Sequence, residues 1–68
     1  MPRPRLLTPA DAADVLGVAL KTLADWRLTG RGPAYVRLGD GLRAPIRYPA
    51  DVLDDWITAH TVVTAGAR

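Results

Sequence analysis

The side chains able to do chemistry in this chain of 68 residues are mostly arginines. Nine Lys and Arg residues stand against seven acidic residues, all of them Asp, and the formal charge is +2. The cations concentrate in residues 19–48, where the only carboxylates are those of Asp25 and Asp40. The basic residues of this segment are Lys21, Arg27, Arg31, Arg37, Arg43 and Arg47. Such a segment is typical of a surface that binds a polyanion, although scattered charges on a solvated face would give the same composition.

Other chemistries lack the residues that they need. The absence of Cys and the single His exclude disulfides, thiolate metal sites, a cysteine nucleophile and a His-rich metal centre. No carboxylate pair accompanies a nucleophile, and no glycine-rich loop has the spacing that cradles a phosphate. We therefore expect a binding module and not an enzyme, with no cofactor and no small-molecule substrate. No apolar run approaches the roughly 18–20 residues of a membrane span, so we expect a cytoplasmic protein without a membrane partner.

A first short helix is predicted over about residues 9–16. Thr8 is typical of an N-cap, Pro9 suits the first helical position, and Gly17 is typical of the residue after a helix. The apolar spacing predicts an inward stripe of Ala12, Val15 and Leu16.

A second short helix is predicted over about residues 20–28, with Leu23 and Trp26 on one buried face. Ala19 precedes it and is a poor cap, whereas Gly30 after it can adopt a left-handed conformation. Two short helices joined by a turn that contains glycine are the signature of a helix-turn-helix.

A two-stranded hairpin is predicted next, with strands at about residues 34–38 and 45–48. The segment 39–41, Gly-Asp-Gly, is a strong turn signal between them. Tyr35 and Tyr48 are expected to be core residues or cross-strand partners rather than platforms for stacked bases. Two basic strands with a basic tip are typical of the wing of a DNA-binding domain.

The last helix is predicted over about residues 52–60, with Asp51 as its N-cap. Its inward face is expected to carry Leu53, Trp56 and Ile57, and His60, one turn further on that face, is expected to be a surface or partly packed residue. The predicted fold is mainly α with a small β-hairpin, a winged helix-turn-helix in the order α-α-β-β-α over residues 8–60. A flexible basic leader, residues 1–7, and a C-terminal tail, residues 61–68, are expected to flank it.

The order and spacing of several motifs resemble a known group of proteins. The motifs are LTPADAA at 7–13, LGV at 16–18, KTL at 21–23 followed by Trp26, GPAYVRLG at 32–39, RAPIRYP at 43–49 and LDDWI at 53–57. Together they cover about residues 6–59 and resemble the excisionase-like and AlpA-like small DNA-binding proteins.

The resemblance implies a relative of the MerR-type DNA-binding domain that has no effector domain. Such proteins act as recombination directionality factors of phages and integrative elements, or as small prophage transcription regulators. They place the second helix in the major groove of double-stranded DNA and the wing on the adjacent backbone or minor groove. The implied protein is a cooperative homo-oligomer on repeated sites that bends DNA beside a cognate integrase, in the nucleoid of a bacterial host.

On this interpretation the second helix supplies the base contacts. Lys21 could contact guanine or a phosphate, Thr22 a base or a phosphate oxygen, and Ala24 a thymine methyl group. Asp25 could accept a hydrogen bond from a cytosine amine, or it could only restrain Lys21 through an i,i+4 ion pair. Arg27, at the flank of the helix, is expected to contact a phosphate.

The loop and the hairpin are expected to supply backbone contacts. Arg31 lies just past the second helix, where a phosphate is within reach. Arg37 and Arg47 are expected to point outward from the hairpin together, either to the DNA backbone or to solvent. Arg43 at the tip is the candidate for the minor groove, because a narrow groove attracts arginine.

Two other functions remain open at this stage. The same fold could serve a transcription regulator of an integrated element, which the sequence does not separate from an excisionase. A protein-interaction module without DNA binding is the third hypothesis, because Asp25 and Asp40 fall within the expected DNA surface.

Overall fold

Three helices and three short strands make up the fold in the computed structural model, which describes residues 5–63. The elements are β1 (Leu6–Leu7), α1 (Pro9–Leu16), α2 (Leu20–Leu28), β2 (Val36–Arg37), β3 (Ile46–Pro49) and α3 (Ala50–Ala59). None of the helices in this part of the chain is long and apolar enough to cross a membrane.

Helix α1 has the predicted bounds and the predicted caps. The Thr8 hydroxyl accepts a hydrogen bond from the backbone N–H of Asp11 at 3.1 Å, and Gly17 adopts a left-handed conformation with φ 71°. The predicted inward stripe is wrong in one position, since Val15 is 55% exposed and Ala13 is buried. Small alanine side chains let neighbouring elements approach closely, and α1 is turned so that Ala12 and Ala13 face the core.

Helix α2 also has its predicted bounds and contributes Leu23, which is fully buried, to the core. Ala19 forms no side-chain cap, as its residue type predicts. The loop after the helix is held against it, because the backbone N–H of Arg31 donates to the carbonyl of Trp26 at 2.7 Å. A Cβ at Gly32 would lie 2.8 Å from the Trp26 ring, so only glycine permits this approach.

The sheet contains a strand that the predicted order omits. Its order is β1-β3-β2, antiparallel throughout, and Leu7 pairs with Tyr48. We predicted a leader over residues 1–7, but Leu6 and Leu7 form β1, and residues 1–4 lie outside the described part. A strand of two residues has no periodicity to reveal it, and the burial of Leu7 against the core holds it in place.

The turn of the hairpin lies further along the chain than predicted. The ladder ends where the N–H of Leu38 donates to the carbonyl of Pro45 at 2.9 Å. The hydrogen-bonded turn then joins the N–H of Ala44 to the carbonyl of Gly41 at 3.1 Å. The predicted turn at 39–41 is therefore the first half of a longer loop. Strand β2 is shorter than the predicted strand, whereas β3 keeps the predicted length and is shifted by one residue.

Helix α3 begins two residues before its predicted start, because β3 runs into it without a loop. Its N-cap is Pro49, which supplies no side-chain hydrogen bond, and the prediction that Asp51 is the cap is wrong. Asp51 lies inside the first turn, where its carboxylate accepts from the N–H of Val52 at 2.9 Å. A carboxylate in this position is stabilised by the helix dipole.

The core is built on Tyr48, Leu23 and Leu53, the largest fully buried side chains. Trp26 and Trp56, predicted as core residues, are only half-buried, with ring centroids 5.8 Å apart. A domain of this size has too little volume to surround two indole rings, and Trp is rarely fully buried. The fully buried aromatic residue is therefore Tyr48 of β3, the strand that contacts α1, α3 and both other strands.

Candidate nucleic-acid interface

Helix α2 presents a short stripe of side chains away from the core. Lys21, Ala24, Asp25 and Leu28 share one face at spacings of three and four residues. Three of them are exposed, Ala24 is half-buried, and Leu28 is 85% exposed. This set, called the α2 stripe below, contains one cation, one carboxylate and two apolar side chains, so its formal charge is zero.

The polar groups of the α2 stripe are not bonded to each other. Within residues 5–63 no hydrogen bond joins Lys21 to Asp25. The backbone at Asp25 is fixed, however, because its carbonyl accepts from the hydroxyl of Thr29 and from the N–H of Thr29, each at 3.1 Å. Thr22 is half-buried beside the stripe. The two charged side chains are therefore available to a ligand on a rigid helix.

Arg27 connects α2 to the sheet. One of its guanidinium nitrogens, Nη1, donates to the Tyr48 hydroxyl at 2.9 Å, and the guanidinium lies 5.9 Å from the centre of the Tyr35 ring. The two tyrosine rings are themselves 5.9 Å apart, as the cross-strand prediction required. Arg27 thus sets the position of α2 relative to the strands, and its other N–H groups are the ones left for a ligand.

The wing, defined as β2, β3 and the loop between them, carries its two strand arginines on opposite faces. In the observed register Arg37 pairs with Ile46, and Arg47 pairs with Val36. Paired residues share a face of the sheet, so Arg37 lies on the face of Ile46 and Tyr48, whereas Arg47 lies on the other. The prediction that both point outward together is wrong, because the register sets the arginine of each strand opposite the aliphatic residue of the other.

The remaining cations occupy the two loops. Arg31 is exposed just past α2, and Arg43 is exposed within the hydrogen-bonded turn of the wing, next to Leu42, which is 99% exposed. Arg47 is half-buried, and its Nη1 donates to the carbonyl of Ile46 at 2.7 Å. The exposed cations between α2 and the wing tip are therefore Lys21, Arg31, Arg37 and Arg43.

The opposite sign of charge is found on α1 and α3. These helices contain no Lys or Arg, and they carry Asp11, Asp14, Asp51, Asp54 and Asp55. The two helices α1 and α3 are called the acidic pair below. Five of the seven carboxylates thus lie on α1 and α3, so a polyanion would be attracted more to α2 and the wing than to the acidic pair.

A shallow groove of about 300 Å³ lies between the two helices of the acidic pair. Its lining residues are Val15, Leu16, Trp56, Ile57, His60 and Thr61. The His60 ring stacks on Trp56 with centroids 4.0 Å apart, and its Nδ1 lies 2.8 Å from the Trp56 carbonyl oxygen. Helical spacing does not indicate this groove, because it does not predict the exposure of Val15 that opens it.

Within the described residues there is no cluster of His or Asp side chains able to hold a metal ion. Comparison with curated proteins and with solved structures yields no match. A family model described as a helix-turn-helix domain matches residues 6–61, which include β1 and all three helices. The match spans most of the chain, and the family is one of DNA-binding domains. The chain therefore belongs to this family of helix-turn-helix DNA-binding domains.

Proposed function

We propose that this chain binds double-stranded DNA sequence-specifically and acts as an excisionase of a phage or integrative element. The observation that carries the DNA-binding part is the segregation of charge, with exposed cations on α2 and the wing and carboxylates on the acidic pair. A helix that presents the mostly exposed α2 stripe beside a basic hairpin has the shape needed for a major groove and its adjacent backbone.

In the proposed complex α2 enters the major groove. Lys21 donates to a guanine or a phosphate, Thr22 contacts a base or a phosphate oxygen, and Ala24 approaches a thymine methyl group. Asp25 faces the base edges from the same stripe. Arg27 reaches a phosphate with the N–H groups that Tyr48 leaves free.

The wing and the loop after α2 hold the DNA backbone in this proposal. Arg31 and Arg37 contact phosphates, and Arg43 enters the minor groove from the wing tip. Arg47 lies on the other face of the wing, so it would reach a phosphate only where the backbone passes that face. Contacts of this kind fix the register of the protein and make binding sensitive to salt without selecting a sequence.

The excisionase role rests on size as well as on shape. A single module of this kind covers roughly 600–1,000 Å², which is little for a selective site. We therefore propose that several copies bind repeated sites cooperatively and bend the DNA, so that a cognate integrase can assemble for excision in the bacterial cytoplasm. A prophage-type transcription regulator is the alternative with the same contacts.

A protein-interaction module without DNA binding is the remaining alternative. It is favoured by one observation, the apolar groove of the acidic pair, which shares no lining residue with α2 or the wing. The same observation is compatible with a DNA-binding protein that also contacts a neighbour.

The test is a gel-shift titration on DNA from the genomic neighbourhood of the gene, at two salt concentrations and with competitor DNA. We expect a ladder of selective complexes that weakens as salt rises, because phosphate contacts release counterions. An excision assay with the neighbouring integrase then separates the excisionase from the regulator. A folded protein that gives no shift at micromolar concentration would exclude both DNA-binding roles and leave the protein-interaction module.

A further inference from the structure

The carboxylate of the α2 stripe is an unusual group for a helix that is directed at DNA. Asp25 is exposed, it is not bonded to Lys21, and the backbone around it is fixed by the double contact of Thr29 with its carbonyl. A carboxylate brought near phosphates is repelled by them, and its loss of water is costly unless a donor replaces that water. The Asp25 carboxylate therefore needs a hydrogen-bond donor from the DNA.

The base edges of the major groove offer few donors. Only the N4 amine of cytosine and the N6 amine of adenine donate there, whereas guanine and thymine present acceptors that repel a carboxylate. The two amines also differ in their surroundings. Adenine N6 lies beside the acceptor N7, while cytosine N4 has no acceptor beside it on the same base. A carboxylate is therefore best matched by cytosine, less well by adenine, and poorly by guanine or thymine.

We propose that Asp25 is a specificity-determining residue that accepts a hydrogen bond from the N4 amine of one cytosine and rejects guanine and thymine there. The inference rests on the proposed function, because it requires α2 to lie in the major groove. Ala24 supports it, since a methyl side chain beside Asp25 lets the helix approach the base edges closely. The role of Asp25 is thus to discriminate between sequences at some expense of total affinity.

The test is selection of binding sites from a pool of randomised duplexes by the full chain and by two variants. The wild-type protein should select cytosine at one position about tenfold over guanine or thymine. Asp25→Asn should shift that preference to adenine, because an amide bonds adenine N6 and N7 together. Asp25→Ala should lose the preference and bind all four bases at that position within about twofold.

A matched control separates base recognition from simple charge. Asp40→Asn removes one exposed carboxylate from the wing loop and should raise affinity for all sequences without changing the selected bases. Thermal melts followed by circular dichroism should show that all three variants fold. If Asp25→Asn and Asp25→Ala keep the wild-type preference and only bind more tightly, as Asp40→Asn does, the inference is overturned and Asp25 merely repels phosphates.

A modified duplex gives a second measurement. Replacing the selected cytosine by an analogue that lacks the N4 amine should weaken wild-type binding about tenfold and leave Asp25→Ala unaffected. An equal loss for both proteins would place the amine outside the reach of Asp25. A wild-type protein that binds no duplex selectively would overturn the proposed function together with this inference, and that outcome is distinct from unchanged selectivity in the variants.

Discussion

The side formed by α2 and the wing differs from the side formed by the acidic pair in charge and in surface shape. The first exposes Lys21, Arg31, Arg37 and Arg43. The second contains carboxylates, no Lys or Arg, and an apolar groove. Both sides rest on the same core, so a change in that core affects both, whereas a surface change affects one.

A domain with a small net charge can still present a basic surface. The net charge of +2 would attract a polyanion only weakly if it were spread evenly. Because the other five carboxylates lie on α1 and α3, only Asp25 and Asp40 oppose the cations of α2 and the wing. The arrangement of charge, more than its sum, therefore determines which ligand the domain can hold.

The largest effect is expected from the shared core. Leu23→Ala removes a fully buried side chain and should cost about 2–5 kcal/mol of unfolding free energy. A domain of this size is stable by only roughly 3–5 kcal/mol, so the variant should be largely unfolded. Leu28→Ala, the same change on the exposed side of α2, should lower stability by less than about 0.5 kcal/mol. Urea titrations of the two variants measure both values, and similar midpoints would show that α2 packs in another orientation.

The two strand arginines of the wing provide the next comparison. Arg37→Ala should weaken DNA binding about tenfold and lower the slope of log K against log salt by about 0.9, because one phosphate contact is lost. Arg47→Ala, on the other face of the wing, should change affinity by less than about threefold. Salt-dependent titrations on one duplex measure both. A larger loss for Arg47→Ala would mean that the DNA lies against the opposite face of the wing.

The sequence was sufficient to predict the bounds of the first two helices, from end signals in α1 and from apolar spacing in α2. Helix α1 begins after Thr8 and ends before Gly17, as predicted, and α2 begins and ends where its spacing indicated. Strand β1 could not be predicted, since Leu6 and Leu7 become a strand only by pairing with the distant β3. The early start of α3 likewise depends on β3 continuing into the helix.

The candidate site was likewise only partly predictable from the sequence. That Lys21 and Asp25 share an exposed face of α2 followed from spacing alone. The opposite orientation of Arg37 and Arg47 could not be obtained from alternation within each strand, because it depends on the register between strands. The bond from Arg27 to Tyr48 joins residues 21 positions apart, and no local pattern indicates it.

The bond from Arg27 to Tyr48 joins α2 to the wing, and its removal should have a moderate effect. Tyr48→Phe deletes the hydroxyl that accepts from Arg27 and keeps the buried ring. We expect a loss of about 1 kcal/mol of unfolding free energy, since the half-buried guanidinium can still find water. Tyr35→Phe, which loses a hydroxyl outside this bond, is the matched control and should be nearly neutral. Thermal melts compare the two, and equal losses would assign no stabilising role to the contact between Arg27 and Tyr48.

The smallest effect is expected on the acidic pair. Asp54→Lys reverses an exposed charge on α3 and should change affinity for DNA by less than about twofold in 0.1 M salt. The reason is screening, because exposed charges separated by more than a Debye length of about 10 Å interact weakly at that ionic strength. Asp40→Lys makes the same reversal on the wing loop and should strengthen binding to every sequence. Gel shifts of the two variants on one duplex compare them directly, and a gain for Asp54→Lys equal to that of Asp40→Lys would show that α3 also lies against the DNA.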